Sequence, residues 1–223
     1  MKEMKGVIFD VDGTLLDSMH KWSTLTSDYL KACGINPEED LDKTIFRMRV
    51  NQAVHYVKER YHLVQSEAEI QQACMDQIVS FYRDEVVLKP GARELLCYLK
   101  ENGIRVMTAS SGERILQEAA FERLGVRDEL QELLFCSELH TDKNSPKIYE
   151  IAAERMGLLP EEVVVFEDAL HGVESAKCAG FSVCGVEDAA DAHDKEKIME
   201  KADWYVKDLK DAIKMICFQK KRL

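Results

Sequence analysis

From residue 90 onward, apolar residues recur at helical spacing up to a glycine, and a short apolar run follows each time. Leu95, Leu96 and Leu99 form a stripe that stops at Gly103, and Ile104 to Ala109 is the next apolar run. Ile115, Leu116, Ala119, Ala120 and Leu124 lead to Gly125 and then to Leu133 to Cys136. Ile148, Ile151 and Ala152 lead to Gly157 and then to the β-branched run Val163 to Phe166. A small-residue helix from His171 to Ala179 stops at Gly180, ahead of Ser182 to Val186. Residues three and four apart share one helix face, and glycine supplies the left-handed residue that closes a helix. Helices alternating with strands predict an α/β fold, a Rossmann-like doubly wound parallel sheet with helices on both faces. The apolar run Gly6 to Phe9 adds a strand near the N-terminus.

Residues 18 to 88 break this rhythm and contain no convincing strand. Trp22, Leu25, Tyr29 and Leu30, then Val50, Val54, Val57 and Tyr61, then Ile70, Ala73, Cys74, Ile78 and Phe81 have helical spacing. Gly34, Pro37 and the acidic run Glu38-Glu39-Asp40 separate the first helix from the next. The expected organisation is a core of residues 1–17 plus 89–223, with an all-α domain of residues 18–88 inserted through Asp17-Ser18 and Leu88-Lys89-Pro90-Gly91.

Composition narrows the partners. A length of 223 residues with 46% hydrophobic content supports a real core. The net charge of −11 disfavours nucleic acid and anionic membranes, both of which need a positive field. The 7 cysteines are odd in number and include no Cys-x-x-Cys pair, which points to a reducing compartment rather than a disulfide framework or a zinc site. The start Met-Lys-Glu-Met-Lys runs directly into a strand and resembles neither a signal peptide nor a membrane span. The expectation is a cytoplasmic monomer acting on a small molecule.

The candidate chemistry lies at strand ends, where ligands of open parallel sheets bind. The first strand stops in Asp10-Val11-Asp12-Gly13-Thr14. Alternation along a strand puts the carboxylates of Asp10 and Asp12 on one side of the backbone, one able to attack while the other handles a proton. Gly13 lets the chain turn close beneath an anion, and Thr14 adds a hydroxyl. Thr108, Ala109 and Ser110 end the second strand, Lys143 lies in the loop after Cys136, and Glu167 with Asp168 ends the fourth. Each group has a plainer role available. Thr108, Ser110 or Ser111 suits a helix cap, Lys143 suits a solvated surface, and Glu167 and Asp168 suit the start of the next helix.

Taken together, in this order and spacing, Asp10 and Asp12, Thr108, Lys143, and Glu167 with Asp168 resemble the four motifs of the haloacid dehalogenase superfamily. The resemblance implies that Asp10 is a nucleophile forming an aspartyl phosphate and that Asp12 is the general acid and then the base. It implies a metal site made by Asp10, the backbone carbonyl of Asp12, Asp168 and Glu167. It also implies a phosphate cradle of Thr108, the backbone N–H groups of Ala109 and Ser110, and Lys143. Close carboxylates at an effective dielectric near 20 repel by about 4 kcal/mol per pair, so cations are needed, and an oxygen-only donor set favours Mg2+. Asn144 follows Lys143 where the family usually has proline, which here comes at Pro146.

The insertion resembles the α-helical cap of the subfamily that includes phosphoglycolate phosphatase and β-phosphoglucomutase. That implies specificity in residues 18–88, with Arg47, Arg49 and Trp22 as candidates, although an exposed arginine and a core aromatic are the default readings of these residues. The expected activity is Mg2+-dependent hydrolysis of a small phosphorylated metabolite. A sugar phosphomutase fits the same length of chain, but its cap-entry histidine, five residues after the acid matching Asp17, is here Trp22. A dehalogenase does not use the second aspartate, so Asp12 counts against it. A phosphonate-cleaving enzyme needs a cap lysine, for which Lys31 and Lys58 are available, and a silent binding module would have no reason to gather four charged groups.

Overall fold

The computed structural model describes residues 3–45 and 48–220, with side chains described as far as residue 217. The chain divides into one unit of Met1–Met19 with Val86–Leu223 and a second of His20–Glu85.

The first unit is built on a parallel sheet of β1 (Gly6–Phe9), β2 (Arg105–Ser110), β3 (Glu132–Phe135), β4 (Val163–Glu167), β5 (Ser182–Val186) and β6 (Trp204–Val206). The strand order is β3-β2-β1-β4-β5-β6, so β1 has β2 on one side and β4 on the other. Phe9 is in register with both Thr108 and Phe166. The crossover direction reverses at β1, and such a switch point opens a crevice at the carboxyl ends of the strands. The helices of this unit are α5 (Ala92–Glu101), α6 (Arg114–Leu124), α7 (Lys147–Met156), α8 (Leu170–Cys178), α9 (Lys195–Lys201) and α10 (Leu209–Lys220).

Alternation divides the strand residues between two faces. Ile8, Met107, Ala109, Val163 and Val165 pack in one cluster with Tyr149 and Ala152 of α7 and Val173 and Ala176 of α8. Val7, Phe9, Thr108 and Phe166 turn to the opposite face, where the Phe9 and Phe166 rings lie 4.7 Å apart. The two chain crossings into the insertion are tied to each other. Leu16 bridges Leu88 antiparallel, Asp17 N–H donates to Val87 O at 2.9 Å, and Lys89 N–H donates to Leu15 O at 2.9 Å.

The second unit contains α1 (Met19–Ala32, entered from the first unit), α2 (Leu41–Ile45), α3 (Val50–Arg60) and α4 (Glu67–Asp84). Tyr29, Leu30, Leu41, Ile45, Val57, Leu63 and Ile70 form its core. Ser66 caps α4 reciprocally: its hydroxyl accepts from Glu69 N–H at 3.2 Å, and Glu69 accepts from Ser66 N–H at 2.7 Å. A cavity of about 310 Å3 within this unit is lined by Trp22, Leu25, Ile45, Val54, Val57 and Cys74.

Candidate active site

β1 ends at Phe9, so Asp10, Val11 and Asp12 already belong to the loop at the switch point. The two carboxylates therefore do not share partners as strand alternation predicts. Asp10 continues the parity of Ile8, toward α7 and α8, and pairs with Lys143. Lys143 also donates to Glu167 Oε1 at 2.6 Å, and the Tyr149 hydroxyl donates to the same oxygen at 2.7 Å. Lys143 is 4% exposed and Glu167 0%, so this charge network is withdrawn from solvent. Removing one member of such a network strands an uncompensated charge.

Asp168 follows Glu167 at the end of β4. Its Oδ1 accepts from the Thr14 hydroxyl at 2.9 Å. Gly13 has φ +92°, and a Cβ there would lie 2.1 Å from Asp168 Oδ2. Only glycine satisfies both the left-handed backbone and the close approach of the carboxylate.

Asp10, Glu167 and Asp168 each offer an oxygen within 4.8 Å of the others, and all three residues are buried. Burial pushes the Asp10 carboxyl up to about 7; Lys143 opposes the shift, while the charges of Glu167 and Asp12 add to it. Burial, then the charges of Asp10 and Glu167, hold Asp168 well above the usual carboxylate range. Burial would pull Lys143 down, but Asp10 and Glu167 raise it well above an ordinary lysine. Three ionised carboxylates against one ammonium leave two negative charges unbalanced. The donor set is all oxygen, which fits a hard divalent cation. Glu167 already accepts from Lys143, Tyr149 and the Ala169 N–H, so Asp10 and Asp168 have more capacity left for a metal ion.

Asp12 stands apart from that acidic group. Its Oδ1 accepts from the Ser18 hydroxyl at 2.7 Å and its Oδ2 from the Gln117 amide at 2.8 Å. The Gln117 Nε2 also donates to Ser110 Oγ at 2.6 Å, and Ser110 Oγ accepts from Gly112 N–H at 2.9 Å.

The sequence-predicted residues thus separate into two groups. Asp10, Asp12, Lys143, Glu167, Asp168 and Ser110 come to the switch-point loops. Thr108 does not join Asp10. It is level with Phe9, on the sheet face opposite Ala109 and Ile8, and its buried hydroxyl has no partner among the described residues. Ala109 belongs to the apolar cluster that carries α7. In the second unit, Trp22 is 37% exposed and donates from Nε1 to the Tyr82 hydroxyl at 2.9 Å. Arg49 is an exposed residue at the start of α3. Arg47 lies outside the described residues. Sequence reasoning missed Ser18, Tyr149 and Gln117. Gln117 left a signal, because it interrupts the buried stripe of Leu116, Ala120 and Phe121 with a polar residue.

A carboxylate beside a buried lysine, at the switch point of a parallel sheet, is the arrangement of an enzyme that handles an anion. The chain belongs to the haloacid dehalogenase-like hydrolase family, whose model matches residues 4–180. It is 30% identical to hexitol phosphatase A of Escherichia coli over 190 residues, covering 84% of this chain and 85% of that one. It is 28% identical over 178 residues to a phosphorylated carbohydrates phosphatase of Thermotoga maritima, covering 80% and 82%. Among solved structures it resembles a "putative beta-phosphoglucomutase" from Thermotoga maritima, with a TM-score of 0.84, 25% identity, and coverage of 99% and 100%.

Proposed function

We propose that the protein is a Mg2+-dependent phosphatase of a small sugar or polyol phosphate, acting through a phosphorylated Asp10. The observation that carries this reading is the pairing of Asp10 with buried Lys143 beside Glu167 and Asp168. Support for the substrate class comes from relatives whose names specify hexitol and carbohydrate phosphates.

In the proposed reaction, an Asp10 carboxylate oxygen forms a bond to phosphorus as the bond to the ester oxygen breaks. The leaving oxygen takes the bonding pair and a proton from Asp12, which is held close by and separately from the acidic group. Water then attacks phosphorus, gives its proton to Asp12 and releases Asp10. The Lys143 ammonium faces Asp10 and offsets charge on the transferring oxygens. Ser110 Oγ accepts two hydrogen bonds, so its own proton is available to a phosphate oxygen. This assigns to Ser110 the hydroxyl role that Thr108 is placed too deep to perform. Asp10 and Asp168 would hold Mg2+, with the Asp12 carbonyl and Glu167 in support, and the ion would supply charge neutralisation and orientation of the phosphate.

Substrate selection is assigned to the helical insertion, with Arg49 and Trp22 as the residues to vary. The deciding experiment is phosphate release from hexitol phosphates, hexose phosphates, phosphoglycolate and nucleotides, with and without Mg2+, with β-glucose 1-phosphate also assayed for glucose 6-phosphate. Metal-dependent phosphate release from hexose or hexitol phosphates supports the proposal. Glucose 6-phosphate formed without free phosphate would make the enzyme a mutase, and no turnover across the panel by folded protein would overturn the reading.

A further inference from the structure

Asp12 must keep one orientation through two opposite proton transfers, and the side chain that fixes it comes from a helix that carries no sequence motif. We propose that Gln117, on α6, is a positioning residue that holds Asp12 in place for proton delivery to the leaving oxygen. The inference rests on the phosphatase reading above.

The Gln117 side chain is 1% exposed. Its Nε2 sits between Asp12 Oδ2, at 2.8 Å, and Ser110 Oγ, at 2.6 Å, so both amide hydrogens are committed. Ser18 holds the other oxygen, Oδ1, at 2.7 Å. With a donor on each oxygen, the carboxylate cannot rotate without losing a hydrogen bond to a buried side chain. The same amide ties Asp12 to Ser110, linking the proton-handling group to the hydroxyl proposed for the phosphoryl oxygens. One hydrogen-bonded unit thus sets the separation between the two ends of the reacting bond.

Packing does not explain the choice of glutamine. Gln117 Oε1 is buried and accepts no hydrogen bond among the described residues. A buried acceptor left unpaired costs stability that methionine, of similar length and shape, would not incur. The cost is accounted for by what the Nε2 end does. Gly112 gives a second, independent indication, because a Cβ there would lie 2.5 Å from Gln117 Nε2 and 3.0 Å from Asp12 Oδ2. The backbone is stripped of a side chain where the amide and the carboxylate meet.

The test is a leaving-group series on the wild type and Gln117→Met: p-nitrophenyl phosphate, phenyl phosphate, and whichever of glucitol 6-phosphate, glucose 6-phosphate and glycerol 3-phosphate the wild type cleaves. The readout is kcat/KM, which reports the first transfer. A nitrophenolate leaves without a proton, whereas an alkoxide needs one. The expected result is a loss of roughly 10- to 100-fold on the poorer leaving groups and less than about threefold on p-nitrophenyl phosphate. In an Asp12→Asn background the same substitution should add nothing, since the group it positions is gone. An equal loss across the series, or none, would overturn the proposal. Wild type that cleaves no member with Mg2+ present would instead overturn the phosphatase reading and this inference with it. Should Gln117→Met fail to fold, Gly112→Ala displaces the same amide and must show the same selective loss.

Discussion

Asp10 combines a strand-end position with a raised carboxyl, and each has a measurable consequence. Asp10→Asn removes the proposed nucleophile and should lower kcat on the best substrate by on the order of 10³-fold or more, with the fold unchanged by circular dichroism. Because burial holds the metal-free Asp10 carboxyl at about 7, at pH 6 a metal ion must displace a proton that is already gone at pH 8. The Mg2+ concentration for half-maximal activity should therefore be roughly tenfold higher at pH 6 than at pH 8. The stability of the metal-free protein should move the opposite way. A native carboxyl raised above its unfolded value binds more protons than the unfolded chain, so stability is fully present at low pH and declines as pH rises through about 7. Denaturant midpoints at pH 5 and pH 8 in EDTA measure this. At Lys143, substitution by Met leaves Asp10 and Glu167 facing each other in a buried site and should cost about 3 kcal/mol.

Elements were legible in the sequence wherever two signals coincided. Helix stripes ending at Gly103, Gly125, Gly157 and Gly180 were followed by the apolar runs that became β2 to β5, and each boundary falls within a residue or so of the pattern. β6 left no comparable signal, because three residues, Trp204 to Val206, are too short for alternation to register. The five-residue α2 and the mixed, charge-rich α9 also escaped. Within the site, Asp10, Glu167 and Asp168 stand out in the sequence because acidic groups at the ends of apolar strands mark the crevice end of a sheet, whereas Lys143, well down the loop after β3, reads by itself as a solvated lysine and stands out only through the order of the motifs. Thr108 and Ser110 share one face of β2, so alternation alone does not choose between them; depth does, because Thr108 is level with Phe9 inside the sheet whereas Ser110 is the last residue of its strand. For Gln117, the polar break in the stripe of α6 marks an unusual buried residue, but only the tertiary fold shows that it meets Asp12 and Ser110. Ser66→Ala, which removes half of the reciprocal cap of α4, should lower the stability of the helical unit by about 1 kcal/mol, read from urea unfolding.

At the scale of the whole molecule, metal and fold are linked. If Mg2+ binds the acidic group of the native state alone, at a hundred times its dissociation constant it should add about 2.7 kcal/mol to stability, seen as a rise in Tm over the protein in EDTA. Asp168→Asn should abolish that rise, and an equal rise in wild type and variant would place the metal elsewhere. No helix among the described residues is long and apolar enough to cross a membrane.

The central place of β1 has a consequence for how the protein is made. The strand leaves the ribosome before either of its partners, its neighbours in register being Arg105 to Thr108 on one side and Val163 to Phe166 on the other. At about 5–20 residues per second, some seconds pass before β2 exists and several more before β4 does. Until β2 is made, Val7, Ile8 and Phe9, all fully buried at the end, have no strand to pair with, and until β4 is made one edge of β1 stays open. The helical insertion, complete by residue 85, is synthesised in full during the wait. The nascent chain therefore carries a sticky, unpaired segment until β2 emerges and a half-paired one until β4 does, and the same segment that positions Asp10 is the one on which chaperone contact during translation should centre.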